Sequence, residues 1–229
     1  MLELKQDIFV TLDVVPFFFR NGDLRVVLNK RKHEPFKDQY ALPGVIVNGL
    51  SKDQNIEGAM ARLLRDKMPV PVSFMEKVDT VGSGNRDPRG WSISVVYVAF
   101  VPDFVESEHD DLETFSLANI INGENKLPFD HNELVRIVAE RFASKSLYTS
   151  MPLMALPARG FTVSDVVSVY RALPMGAVVK DITVRKRIEY LESKGNIAEV
   201  GLAKTGKGRP SKMYSRDNQL HVFDRSIIS

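Results

Sequence analysis

The segment Ser83-Gly84-Asn85-Arg86-Asp87-Pro88-Arg89-Gly90-Trp91-Ser92 gathers two arginines, an aspartate and the only tryptophan of the chain among glycines and a proline. Guanidinium forks match the paired oxygens of a phosphate, and an indole face stacks on a flat base. Such a loop suits a phosphorylated, base-bearing small molecule, with Arg86, Asp87, Arg89 and Trp91 as its contacts. A charged surface turn anchored by a buried tryptophan fits the spacing equally well. A second concentration of charge is Lys204-Thr205-Gly206-Lys207-Gly208-Arg209-Pro210, followed by Lys212. Glycine and proline there shape a turn that carries its cations toward a polyanion.

Other chemistries lack their residues. There is no cysteine, which removes disulfides, thiolate metal sites and a cysteine nucleophile together. The four histidines, His33, His109, His131 and His221, form no close ligand pair in sequence. No glycine-rich loop of the Walker or dinucleotide type occurs, and nothing favours a serine nucleophile. Accordingly no catalytic residue, metal or cofactor is assigned.

The elements that must position these residues follow from periodicity. Ile8 to Phe19 is apolar and β-branched, Asn21-Gly22 supplies a tight turn, and Leu24–Leu28 returns, which predicts a β-hairpin. A helix is expected from about Asn55 to Lys67, with Ile56, Met60, Leu63 and Leu64 at helical spacing. Met75–Val81 and Ile93–Val101 read as strands, the second apolar enough for a central position. His131–Leu147 is an amphipathic helix with Leu134, Val138 and Phe142 on one stripe. Composition shifts between Ser144 and Gly160, which places a domain boundary near residue 150. Beyond it come helices over Ser164–Leu173 and Asp181–Lys194, then strands Ile197–Ala203 and Ser211–Ser215 around the basic loop. Two helices followed by a basic hairpin give the order of a winged helix.

Charge follows the same division. Residues 1–150 hold 18 basic and 22 acidic side chains, and residues 151–229 hold 13 and 7, a balance of −4 against +6. The smaller, basic part suits nucleic acid. Within the Asp181 helix, Val184, Ile188 and Leu191 form the apolar stripe and Asp181 is placed to cap the N-terminus. Lys186 points away from the stripe, and Thr183 and Arg185 flank it. Thr183 and Lys186 are the expected base contacts in a major groove, and Arg187, at the stripe edge, the expected phosphate contact. Lys204, Lys207 and Lys212 are expected on phosphates and Arg209 in a narrow minor groove.

A hairpin, then Leu42-Pro43-Gly44, then a helix about a dozen residues later resembles the Nudix hydrolase domain, whose box binds divalent metal through a glutamate-rich helix. On this chain that helix motif falls on Arg62-Leu63-Leu64-Arg65-Asp66-Lys67. Leu63 and Lys67 stand at glutamate positions, Val45 replaces the second glycine, and only Asp66 keeps a negative charge. More specifically the chain resembles the Nudix-related transcriptional regulators of NAD metabolism. The likeness runs through Asn29-Lys30-Arg31, Pro35-Phe36, Ala41–Gly44, Arg86–Ser92, Leu147-Tyr148 and Gly201–Pro210.

This resemblance implies an α/β/α Nudix-like sandwich with a mixed sheet over residues 1–150 and a winged helix-turn-helix over 151–229. It implies a homodimeric repressor that binds a pseudo-palindromic operator in double-stranded DNA near NAD-metabolism genes and releases it on binding ADP-ribose. It also adds Arg31 and Phe36 to the effector contacts. Two alternatives stand beside it. One is an active Nudix hydrolase of ADP-ribose-type substrates with an accessory C-terminal domain. The other is a scaffold whose winged helix holds a protein. The charged N-terminal stretch and the lack of a long apolar run lead to the expectation of a cytoplasmic protein without membrane contact.

Overall fold

Alternation of apolar residues builds the first strand and decides which side of the sheet each faces. In the computed structural model, which describes residues 7–50, 52–174, 179–203 and 210–216, β1 is Phe9–Arg20. Its Leu12, Val14 and Phe18 enter one core, and Val15 and Phe17 enter another on the opposite face. Asn21 and Gly22, both at positive φ (54° and 81°), turn the chain into β2, Asp23–Lys30, with Arg20 opposite Asp23. That is the tight hairpin the Asn-Gly pair predicts.

Short strands β3 (Tyr40–Ala41) and β4 (Gly44–Ile46) flank the Leu42-Pro43 corner and pair with β2 and β1. Helix α1, Ile56–Lys67, begins at Asn55, whose side chain accepts from the Gly58 amide. The strands β5 (Phe74–Ser83) and β6 (Ser92–Phe100) form a hairpin around the Arg86–Trp91 loop, and β6 lies parallel to β1. With β7 (Leu112–Ser116) the sheet has the path β3-β2-β1-β6-β5, with β4 on β1 and β7 on β2. One parallel pair among antiparallel ones makes it mixed, and β6 holds the interior place expected of it.

Helix α1 covers one face through Ala59, Met60 and Leu63. Short helix α2 (Leu117–Ile121) and long helix α3 (His131–Ser146) cover the other. A cluster of Phe17, Phe100 and Phe142, with centroids 4.9–6.2 Å apart, fastens α3 to β1 and β6. Each such ring, when buried, contributes about 1.5–3 kcal/mol. The buried Lys145 ammonium on α3 pairs with Glu76 on β5.

After α3 the chain stays inside. A single turn of 3-10 helix, Met151–Ala155, is wholly buried and packs on α3, β1 and the next helix. Strand β8 (Arg159–Thr162) leads into α4 (Val163–Ala172), where Thr162 and Asp165 form a reciprocal capping box. Helix α5 is Asp181–Ser193, and β9 (Ile197–Ala203) and β10 (Ser211–Arg216) complete a three-stranded sheet of order β8-β10-β9. Helix pair and small antiparallel sheet form the winged helix, and its wing loop, residues 204–209, lies outside the described residues. Among the described residues no helix is long and apolar enough to cross a membrane.

Two expectations need correction. Lys180, not Asp181, is the N-terminal cap of α5; Asp181 is its first helical residue and pairs with Arg171 at 2.6 Å. Arg187 does not reach outward: it is 5% exposed, and its guanidinium donates to the carbonyls of Ser146, Leu147 and Thr149 at 3.0–3.2 Å and to the Tyr170 hydroxyl at 3.3 Å. The Ser146 and Leu147 carbonyls close α3, where the last backbone acceptors have no partner within the helix, and Thr149 follows just beyond it. A cation there also complements the helix dipole.

Candidate functional site

The Leu42–Ile46 corner, the last turns of α1, the Arg86–Arg89 loop and the start of α3 enclose a cavity of about 310 Å³. At its floor is Asp13 on β1, 6% exposed, with its carboxylate accepting from Thr11 Oγ1 at 3.0 Å and Ser94 Oγ at 2.5 Å. The carboxylate also crowds Gly44: a Cβ there would stand 2.3 Å from Asp13 Oδ1. Leu-Pro-Gly is thus used for close approach, with glycine required by a neighbour rather than by its own φ.

Arg86 lines the cavity but is spent on structure. It forks onto Asp130 at 3.0 and 3.1 Å, donates to Ser92 Oγ at 3.1 Å and lies 3.6 Å from Asp13. Asp130 immediately precedes α3, so the loop and the helix start are locked together. Next to it His131, 4% exposed, accepts the Leu42 amide on Nδ1 at 3.0 Å, which leaves Nε2 to carry the proton 3.9 Å from Asp13. Burial pushes the imidazole pKa down, against the upward pull of Asp13 and Asp130.

Asp87 and Arg89 form a closed pair, with Arg89 Nε and Nη2 at 2.9 and 2.6 Å and the Arg89 amide also donating to the carboxylate. Burial raises the Asp87 pKa, but the Arg89 hydrogen bonds outweigh it and the net shift is downward. Across the cavity Arg31 donates to the Pro35 carbonyl at 2.7 Å, and burial, with Arg89 nearby, lowers its pKa. Between them stands Phe129, with the Arg31 guanidinium 4.8 Å and the Arg89 guanidinium 5.8 Å from its centroid. Phe36 meets Phe129 edge-on at 4.9 Å, so it backs the cavity without lining it. Trp91 does not line it either. It is 41% exposed and lies against Gly82 and Gly84 on the outer side of the hairpin.

The metal-binding chemistry of a Nudix box does not fit these residues. Leu63 is fully buried in the core under α1, and Asp66 is exposed, pairs with Arg65 at 2.7 Å and does not line the cavity. Lys67 does line it, as does Val45. Of the three lining carboxylates, Asp13 and Asp87 are already engaged by hydroxyls and arginines, which leaves Glu34. Among the described residues no group of three or more histidine, cysteine, aspartate or glutamate side chains stands ready for a metal ion. Arg62 instead forks onto Asp53 at 2.7–2.9 Å and donates to the Ile46 carbonyl, tying the 46–53 loop to α1. Those hydrogen bonds, with one from the Asn48 amide, hold the Asp53 pKa down at about 2. Five cations and three carboxylates face the cavity, which favours an anionic guest.

The second region is the outer face of α5. Arg185 and Lys186 are exposed and Thr183 is half-buried. Lys212 on β10 is exposed and pairs with Glu199 at 2.7 Å and Glu192 at 3.6 Å. Lys204, Lys207 and Arg209 lie outside the described residues. The inward residues Val184, Ile188 and Leu191 are buried as the stripe requires.

Fold and site together define a Nudix-like domain with a cation-lined cavity, continued by a winged helix. No family model matches the chain. It is 30% identical over 211 residues, 90% of this chain and 80% of the other, to the ADPR responsive transcriptional repressor NtrR of Acinetobacter baylyi, and it belongs to that family. It is also similar to Shewanella oneidensis NrtR, solved in complex with a 27mer DNA, at 29% identity and a TM-score of 0.79 over 95% of this chain and 98% of that one. The NUDIX domain of the same protein, solved with ADP ribose, is 28% identical with a TM-score of 0.52, over 62% of this chain and 92% of that domain. An ADP-ribose pyrophosphatase of Methanocaldococcus jannaschii is 32% identical over 117 residues, half of this chain and 65% of that protein.

Proposed function

We propose that the chain is an ADP-ribose-responsive transcriptional repressor of NAD-metabolism genes. It binds operator DNA as a homodimer through its winged helix and does not hydrolyse its effector. The observation that carries this reading is the end-to-end likeness, both domains included, to a protein solved on DNA. In this reading residues 1–150 hold the effector, with Arg31, Asp87, Arg89 and Phe129 facing it and Arg86 and Phe36 supporting them. Residues 151–229 hold DNA, with Thr183, Arg185, Lys186 and Lys212 on one side and Lys204, Lys207 and Arg209 on the wing. One recognition helix per chain is a small reader, and a two-fold pair matches a pseudo-palindrome.

The test is fluorescence anisotropy with duplex DNA from the region preceding the chain's own reading frame. Binding should be released by ADP-ribose, and light scattering should give twice the chain mass. The alternative, a hydrolase, is supported by the pyrophosphatase relative and opposed by Leu63 and Lys67. Incubation with ADP-ribose and Mg²⁺ or Mn²⁺ separates the two: turnover on the order of 1 s⁻¹, ordinary for an enzyme, would overturn the repressor-only reading.

A further inference from the structure

Lys67 closes α1 at the edge of the cavity and also lines a smaller cavity beside it, together with Arg31, Lys32 and His33. Its acidic neighbours are taken. Asp66 pairs with Arg65, and Asp111 pairs with Lys32. Among the described residues no hydrogen bond or ion pair is formed by the Lys67 ammonium itself. Burial lowers its pKa, and the like charges of Lys32 and Arg31 lower it further. Lys67 and Arg31 therefore share the lining of both cavities, with Lys32 beside them in the smaller one, and the Glu34 carboxylate lines the larger cavity with them. Within a folded chain such an arrangement is unfavourable until an anion arrives.

We propose that Lys67 stands in for the divalent cation: its ammonium, with the Arg31 guanidinium, neutralises the diphosphate of an ADP-ribose-type ligand, so that binding needs no metal. This rests on the effector reading above and adds to it the place of the diphosphate and the source of its counter-charge. An ammonium is a compact point charge with three donors, suited to several phosphate oxygens at once. It holds a diphosphate but generates no hydroxide to attack it, which is the other task of a metal ion there. In this reading Lys67 accounts for holding the ligand, and with Leu63 at the other glutamate position the helix offers no carboxylate at either to hold a metal for hydrolysis.

The experiment is isothermal titration of the full-length protein with ADP-ribose, in EDTA and in Mg²⁺. The wild type should bind with the same affinity in both. Lys67→Met and Lys67→Gln should each bind at least about tenfold more weakly, the loss of one charge-assisted contact. Lys67→Arg should stay within about threefold of wild type, because it keeps the charge. A wild-type affinity that depends on Mg²⁺ overturns the inference, as do Met and Gln variants that bind at full strength. A wild type that binds no ADP-ribose in either buffer removes the effector reading itself, and the inference falls with it. The neutral variants, free of ligand, should melt no lower than wild type, since they relieve like-charge crowding and break no contact; a lower melting temperature would give the ammonium a structural role and overturn the inference.

Discussion

Arg187→Ala separates a structural arginine from a DNA contact. The side chain is 5% exposed and serves three main-chain carbonyls and the Tyr170 hydroxyl. Truncation leaves the carbonyls of Ser146, Leu147 and Thr149 without that donor in a place water reaches poorly. Hydrogen bonds from a charged donor contribute about 1.5–3 kcal/mol each, but bonds sharing one guanidinium are not additive. A buried acceptor left unsatisfied costs about 1–3 kcal/mol, so losing the shared donor of three carbonyls is expected to cost about 3–5 kcal/mol in all. For a chain of this size each kcal/mol moves the melting temperature by about 2–4 °C, so a fall of about 6–20 °C is expected in scanning calorimetry. DNA affinity should then be measured well below the lowered transition, across a salt series. If Arg187 held a phosphate, its loss would flatten the slope of log K against log salt by about 0.9. We expect the slope to stay and the melting temperature to fall. Arg185→Ala and Lys186→Ala should do the reverse. An unchanged melting temperature with a flattened slope for Arg187→Ala would refute the buried placement.

Three other outcomes follow from the cavity. Gly44→Ala sets a methyl 2.3 Å from Asp13 Oδ1, which Thr11 and Ser94 hold in place, so stability should drop by about 1–3 kcal/mol in urea titration; a neutral result means Asp13 yields freely. Burial depresses the His131 pKa, so below about 6.5 the unfolded chain takes up a proton that the folded one refuses. Stability should be level above that pH and decline beneath it toward the lower folded value, and His131→Asn, which keeps an acceptor for the Leu42 amide, should flatten the decline. Phe129→Leu removes the aromatic face between Arg31 and Arg89, and should weaken ADP-ribose binding by roughly threefold to tenfold in titration calorimetry; equal affinity would detach the ring from the site.

What the sequence made legible was whatever is written in local spacing. Asn21-Gly22 announced its hairpin, Asn55 and the apolar positions after it announced α1, and Val184, Ile188 and Leu191 the buried face of α5. The Arg86–Arg89 loop was found because its residue types cluster. Phe129 and His131 were missed because they meet that loop only through the fold, and no local period marks them. Asp13 had a signal that was passed over: a carboxylate inside a strand as apolar as Phe9–Phe19 has to find partners within the protein. Arg187 had one too. It lies three residues after Val184 and four before Leu191, both intervals that share a helix face, yet its charge suggested solvent. Arg86 and Trp91 show the converse. Both types suit a ligand, but the fold gave Arg86 to Asp130 and turned Trp91 outward.

The passage from sensor to DNA-binding unit has a consequence for inheritance. From Lys145 to Leu156 no residue is exposed, and Met151, Leu153, Met154 and Leu156 sit in the same core as Phe17 and Phe142. A seam of this kind is not a tether. Recombination that joined this sensor to a different winged helix by a crossover near residue 150 would have to match oily surfaces, not merely splice chain ends. Substitutions on the two sides of the seam are therefore constrained jointly. Related chains should change Met151, Leu153 or Met154 in step with the residues of β1, α3 and α4 against which that turn packs, so that the two halves are handed down as a pair.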